Sequence, residues 1–181
     1  PNAQFAIYEQ ADTSRPVAEG VTDEFGVFRS GKINPGTYIV RELNPAPGWT
    51  YSDKTSPERV IVAKAGDGEI EVKVDNIRLP ELIIKKQDEK LKTGLSHFTF
   101  RVAKTEDKTE SYYITDESGE IRLTLEEAIY TIEEISGRSN YIIDPSNKVE
   151  IALEPGKVKT VIFENIRKPT LILTKLNALN L

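Results

Sequence analysis

"VTDEFGVF" at residues 21–28 returns as "ITDESGEI" at 114–121. Three further pairs follow in the same order. "GTYIVREL" (36–43) matches "AIYTIEEI" (128–135), "VDNIRLP" (74–80) matches "FENIRKP" (163–169), and "LIIKKQD" (82–88) matches "LILTKLN" (171–177). The offsets are 93, 92, 89 and 89 residues, which is the mark of a tandem array. The array is sampled out of phase. A complete unit spans 79–168, residues 1–78 hold a unit that enters at its second strand, and 169–181 reads as the first strand of a following repeat.

Inside each unit the hydrophobic pattern has period two. "QFAIYE", "GVFRS", "GTYIVREL", "RVIVA", "EIEVKVDNI", "ELIIKK", "HFTFRVA", "EIRLTL", "IYTIEEI", "KVEIAL" and "KTVIFENI" are short, rich in β-branched and aromatic residues, and bounded by turn formers. Turn signals such as "DEFG", "NPG", "GDG", "DESG" and "EPG" separate them. "LTLEEAI" is the one stretch that offers a helical turn, and no helix is expected from it. The expectation is an all-β protein of antiparallel strands folded as tandem β-sandwiches.

Composition narrows the function. Of 181 residues 38% are hydrophobic and 29% charged, a globular balance. The net charge of -5, with no basic block, argues against nucleic acid as a partner. No run of 18 apolar residues exists to span a membrane. Cysteine and methionine are both absent, which removes disulfides, thiol catalysis and thiolate metal sites. Pro1 in place of an initiator Met is what a piece of a longer chain would show.

Three polar residues recur within otherwise apolar strands: Lys86, Glu134 and Asn165 in the complete unit, Glu42 and Asn76 in the first unit, and Lys175 in the last segment. Parity puts Lys86 with Leu82 and Ile84, Glu134 with Tyr130 and Ile132, and Asn165 with Val161 and Phe163. A buried charge is tolerated only when paired, so these residues make sense if they meet. Lys85 and Glu133, each adjacent in sequence, leave the register open, although repeat alignment and parity both favour Lys86 and Glu134. The bland reading is a strand-edge ion pair beside a turn Asn.

The order "LIIKKQD…TG…FTF", "TDESGEIRL", "YTIEE", "ENIRKP", together with "VTDEFGVFRSGKINPGTYIVRELNPAPGWTY" in the first unit, resembles the CnaB-type, prealbumin-like domains of Gram-positive surface adhesins and pilins. Trp49 stands where that family usually has Tyr, and "EEISGRSNY" lacks the family's A-P-x-G segment. The resemblance implies an intramolecular isopeptide bond between Lys86 and Asn165, assisted by Glu134. It implies Glu42 in the assisting role in the first unit, with an inter-repeat bond from Lys175 to Asn76 as its extension. Desolvation lowers a lysine pKa and raises that of a glutamate, so a neutral amine can face a protonated acid. Treated like a disulfide closing about 80 residues, such a bond is worth roughly 4–5 kcal/mol.

Elsewhere the residues read as structural. His97 is alone, Trp49 in "APGWTY" reads as packing, and "AGDGE" (65–69) is a turn lacking calcium-ligand spacing. "LPELI" (79–83) lacks the Thr-Gly of a sortase signal. No cofactor or metal motif is present. The resemblance therefore implies no enzyme, but stalk or spacer repeats of an extracellular, cell-wall-anchored adhesin or pilin. Its partners are neighbouring repeats, with head-to-tail strand exchange through 169–181 as a further expectation. A direct module for host protein, such as extracellular-matrix collagen, is the alternative. A transthyretin-like enzyme is disfavoured by the single His.

Overall fold

The computed structural model describes residues 1–53, 58–144 and 146–176. It divides into two compact units, Pro1–Pro80 with Pro155–Lys157, and Glu81–Glu154 with Val158–Leu181. All regular structure among the described residues is β.

The second unit is the fuller sandwich. Its strands are β7 (Glu81–Asp88), β8 (Thr99–Lys104), β9 (Glu110–Ile114), β10 (Glu120–Thr124), β11 (Ala128–Ser136), β12 (Lys148–Leu153) and β13 (Val158–Asn165). One sheet has the order β10-β7-β13 and the other β12-β11-β8-β9. Alternate residues turn inward: Leu82 and Ile84 from the first sheet meet Phe100, Val102 and Ile132 from the second. Phe100 and Phe163 stack edge to face with centroids 4.9 Å apart. Pairing is antiparallel except for β7 with β13, which run parallel. This departs from the expected all-antiparallel pattern. The first and last strands of the unit enter from the same end, a pairing no local turn can make.

The first unit has β1 (Gln4–Glu9), β2 (Ala18–Val21), β3 (Gly36–Asn44), β4 (Trp49–Tyr51), β5 (Glu58–Ala63) and β6 (Asn76–Arg78). The sheet β2-β1-β3-β5 reproduces β9-β8-β11-β12 of the second unit, and β4 pairs with β6. Its buried core is small, built on Ile7, Tyr38, Val40 and Ala63. Two expected strands are not formed. "GVFRS" (26–30) has no strand, and of "EIEVKVDNI" only the end, within β6, is one. Their counterparts, β10 and β13, flank β7 in the second unit. Among the described residues no strand lies between these two stretches, so neither has a ladder to join there.

Other departures are smaller. "LTLEEAI" forms no helix: β10 ends at Thr124 and β11 begins at Ala128. β2, β4 and β9 lie outside the stretches singled out by alternation, because "AEGV" and "WTY" are too short to alternate and "ESYYI" turns only Tyr113 toward the core. Residues 169–176 carry no regular structure, with Leu171 92% and Leu173 91% exposed. The remainder of the expected strand, 177–181, lies outside the described residues.

Candidate functional site

Lys86 sits near the end of the central strand β7, with one sheet neighbour on either side. Its amide donates to the Gly119 carbonyl at 2.7 Å, and its own carbonyl accepts from Leu95 N at 2.8 Å. Gly119 is required for that approach. Its φ is +80°, and a Cβ there would lie 2.5 Å from both Lys86 O and Leu95 N. The backbone that presents Lys86 is thus clasped by a residue far off in sequence, in the "TDESGEI" turn. That turn is shaped by Asp116, whose carboxylate accepts from Ser118 N at 2.9 Å and Glu120 N at 2.8 Å.

Glu134 comes from the opposite sheet. It pairs with Phe100, and the ladder slips between Glu134 and Ser136, a bulge that ends the regular inward alternation of β11. Glu42 of the first unit stands beside the equivalent irregularity, where β3 opposes Gln4 and Phe5. Asn165 closes β13, in register with Asp88.

These three side chains converge in the core. Lys86, Glu134 and Asn165 are 1%, 2% and 3% exposed. Glu134 bridges the other two: Lys86 Nζ donates to Oε2 at 3.0 Å, and Asn165 Nδ2 donates to Oε1 at 2.7 Å. The Phe98 ring lies under the amine, 5.2 Å from Nζ to centroid. Burial pushes the Lys86 pKa down from the ordinary lysine value, against the opposing pull of the Glu134 hydrogen bond and charge. The adjacent candidates face outward: Lys85 pairs with Glu120 at 2.7 Å and Glu133 with Arg101 at 2.6 Å.

The arrangement buries a primary amine, a carboxylic acid and a side-chain amide within hydrogen-bonding reach of one another, the set that amide exchange with general acid–base help requires. Asn165 turns its nitrogen toward the acid, so Glu134 faces Nδ2 rather than the carbonyl oxygen.

In the first unit Asn76 Nδ2 donates to Glu42 Oε1 at 2.7 Å, repeating half of the arrangement. Among the described residues, Glu42 Oε2 and Asn76 Oδ1 are buried and have no hydrogen-bond partner. Lys175 is exposed on the segment without regular structure.

Asp88 was not legible as part of this neighbourhood. It is 3% exposed and accepts from Lys90 N, Leu91 N and the Tyr141 hydroxyl, the last at 3.0 Å. The Leu91 amide, more than any other group, holds its carboxyl below the usual value. "QDEK" is a turn signal that could have marked it. Arg167 lies over Tyr141, 5.5 Å from the ring, and Arg78 covers Trp49 in the same way at 5.3 Å, a packing role for that tryptophan. His97 is exposed at φ 65° beside Ser96.

The model of the SpaA family, described as a prealbumin-like fold domain, matches this chain twice, over residues 1–77 and 80–166. No curated protein sequence matches. Among solved structures, the shaft pilin SpaA from Lactobacillus rhamnosus GG is similar over 96% of this chain and 89% of its own, at 18% identity and a TM-score of 0.55. The Bacillus anthracis TIE protein is similar over 92% of this chain, at 21% identity and a TM-score of 0.50. A streptococcal ancillary pilin aligns over 93% at 16% identity, with a TM-score of 0.42. This chain covers 31% of the TIE protein and 58% of the ancillary pilin. At these identities the structural likeness speaks to fold, and the twice-matching family model speaks to membership. The chain belongs to the SpaA family of prealbumin-like fold domains, whose model it matches twice.

Proposed function

We propose that the chain is a structural element, a pair of stalk or spacer repeats in a cell-wall-anchored pilin or adhesin outside a Gram-positive cell, and that its second domain locks itself with a Lys86–Asn165 isopeptide bond. The observation that carries this reading is the bridge made by Glu134 between two buried partners.

The reaction balances within the chain. With Lys86 as a neutral amine, Nζ attacks Asn165 Cγ; the Nζ–Cγ bond forms and the Cγ–Nδ2 bond breaks. Glu134, protonated opposite the neutral amine, gives its proton to Nδ2, which leaves as ammonia, and takes one back from the attacking nitrogen. The acid ends as it began, and the chain reacts once, on itself. It is not an enzyme acting on a substrate.

The mechanical consequence follows from topology. β7 and β13 are the first and last strands of the domain and run parallel in one sheet. A covalent tie between them carries tension from one terminal strand to the other without loading the hydrogen bonds in between. Intact-mass measurement tests the reading. The expected mass is the sequence mass less one ammonia, with Lys86 and Asn165 in one branched tryptic peptide. An unmodified mass in folded protein overturns it.

A further inference from the structure

Asn165 has two acids within reach. Glu134 takes its Nδ2 from the opposite sheet at 2.7 Å. Asp88 is its direct partner in the β7–β13 ladder, and both residues turn inward, each 3% exposed. Neighbouring strands lie about 4.8 Å apart, which puts the Asp88 carboxylate close enough to compete for the same amide. An ionised carboxylate is a strong acceptor. That Nδ2 nevertheless donates to Glu134 follows from how Asp88 is held.

Both Asp88 oxygens are engaged. Oδ1 accepts from Lys90 N at 3.0 Å and Leu91 N at 2.9 Å. Oδ2 accepts from the Tyr141 hydroxyl at 3.0 Å, with Arg167 3.6 Å away. The Tyr141 oxygen accepts from Arg167 Nη2 at 2.9 Å, which leaves its own proton for Asp88. The turn that Asp88 shapes also grips the Asn165 backbone, since Glu89 N donates to Asn165 O at 3.0 Å. The Tyr141 ring meets Phe98 edge to face, centroids 5.7 Å apart, and Phe98 is the ring under Lys86 Nζ. Tyr141 thus touches the surroundings of both Asn165 and Lys86.

The repeat separates this ring from its hydroxyl. Arg78 pairs with Trp49 and lies over it, as Arg167 does with Tyr141, and each arginine follows its asparagine by two residues in "NIR". An indole keeps the arginine–aromatic packing and has no oxygen to give. The packing therefore stands without a hydroxyl, and in the second unit the hydroxyl meets a buried acid.

We infer that the Tyr141 hydroxyl is a positioning group for the Asn165 amide: by occupying Asp88 Oδ2 it keeps that carboxylate off Nδ2, which is left to donate to Glu134. Without the hydroxyl, Oδ2 has a free lone pair beside Asn165, and the amide turns from Glu134 to Asp88. Asp88 lies one inward position beyond Lys86 on β7, so that turn draws the amide carbon away from the amine. The consequence for a Lys86–Asn165 bond rests on the function proposed above; the hold on the amide does not.

The test has two arms on the 181-residue chain. Crystal structures of Lys86→Met, which has no amine to react, are compared with and without Tyr141→Phe; Lys86→Gln serves if Lys86→Met does not fold. Asn165 Nδ2 should sit on Glu134 in the first and on Asp88 in the second. Adding Asp88→Asn to Tyr141→Phe should return it to Glu134, because that substitution removes the competing acceptor. In the second arm Lys86 is restored, and chains made by cell-free translation are sampled by intact mass over time. Tyr141→Phe should slow the loss of ammonia at least about tenfold, the scale of one hydrogen bond to a charged group, and Asp88→Asn in the same chain should restore most of the rate. An amide that stays on Glu134 in Tyr141→Phe overturns the inference, as does an unchanged rate. A double variant no better than Tyr141→Phe also overturns it, since the tyrosine is then only packing. If wild type never loses ammonia, the bond reading fails, and the crystal comparison decides the positioning role.

Discussion

Glu134→Gln changes one atom pair in the core and should change the covalent structure of the second domain. The glutamine keeps the shape and can still accept from Lys86 Nζ or Asn165 Nδ2, now 3.0 and 2.7 Å from the carboxylate, but it cannot carry a proton between them. The proposed Lys86–Asn165 tie would close a loop of about 80 residues, so its loss would cost roughly 4–5 kcal/mol on the chain-entropy account. For a domain of this size each kcal/mol moves Tm by about 4–8 °C, so the tie alone corresponds to a fall on the order of 20–30 °C. The assay pairs intact mass with scanning calorimetry on the same samples. Wild type should lack one ammonia and show a high transition; Glu134→Gln should have the full sequence mass and a transition lowered by that amount. A variant that still loses ammonia would refute the role of Glu134. Equal melting of linked and unlinked protein would refute the energetic argument.

Gly119→Ala should destabilise the second domain by roughly 2–5 kcal/mol, from left-handed backbone strain plus a Cβ driven into Lys86 O. Gly26→Ala, at a similar φ but in open space, should cost only about 1–2 kcal/mol, and equal losses in denaturant melts would contradict the clasp. Phe163→Ala, at 1% exposure, should cost about 3–5 kcal/mol, against less than about 0.5 for the half-exposed neighbour Ile162→Ala. Asp88 has a depressed folded pKa, so the unfolded chain binds its proton first. Its contribution is full above the ordinary value of 3.8 and fades as pH falls through the lower folded one. Asp88→Asn should therefore flatten the acid limb of Tm against pH, and an unchanged limb would discount the Tyr141–Asp88 bond.

The repeat, the period-two alternation and the inward parity of Lys86, Glu134 and Asn165 were all legible in the chain, because each is a local or translational pattern. Strand parity alone put Glu134 on the face of Tyr130 and Ile132, and all three are buried. The alternation also marked 26–30 and 69–75 as strands, and there it failed for a reason outside those residues. A strand is a partnership, and the partner that β7 supplies to β10 and β13 has no counterpart among the described residues of the first domain.

Sequence by itself determined what kind of chain this is: two β-rich units, a lysine, an acid and an amide repeated in order, and a final segment that repeats β7. Tertiary structure decided the parallel pairing of the first and last strands of the second unit, the orientation of the Asn165 nitrogen toward Glu134, the grip of Gly119 on the Lys86 backbone, and the hydrogen bond from Asn76 to Glu42. Those depend on atoms about 30 to 80 residues apart meeting within a few ångströms. Spacing along a chain does not encode that distance; packing of two sheets around a shared core does.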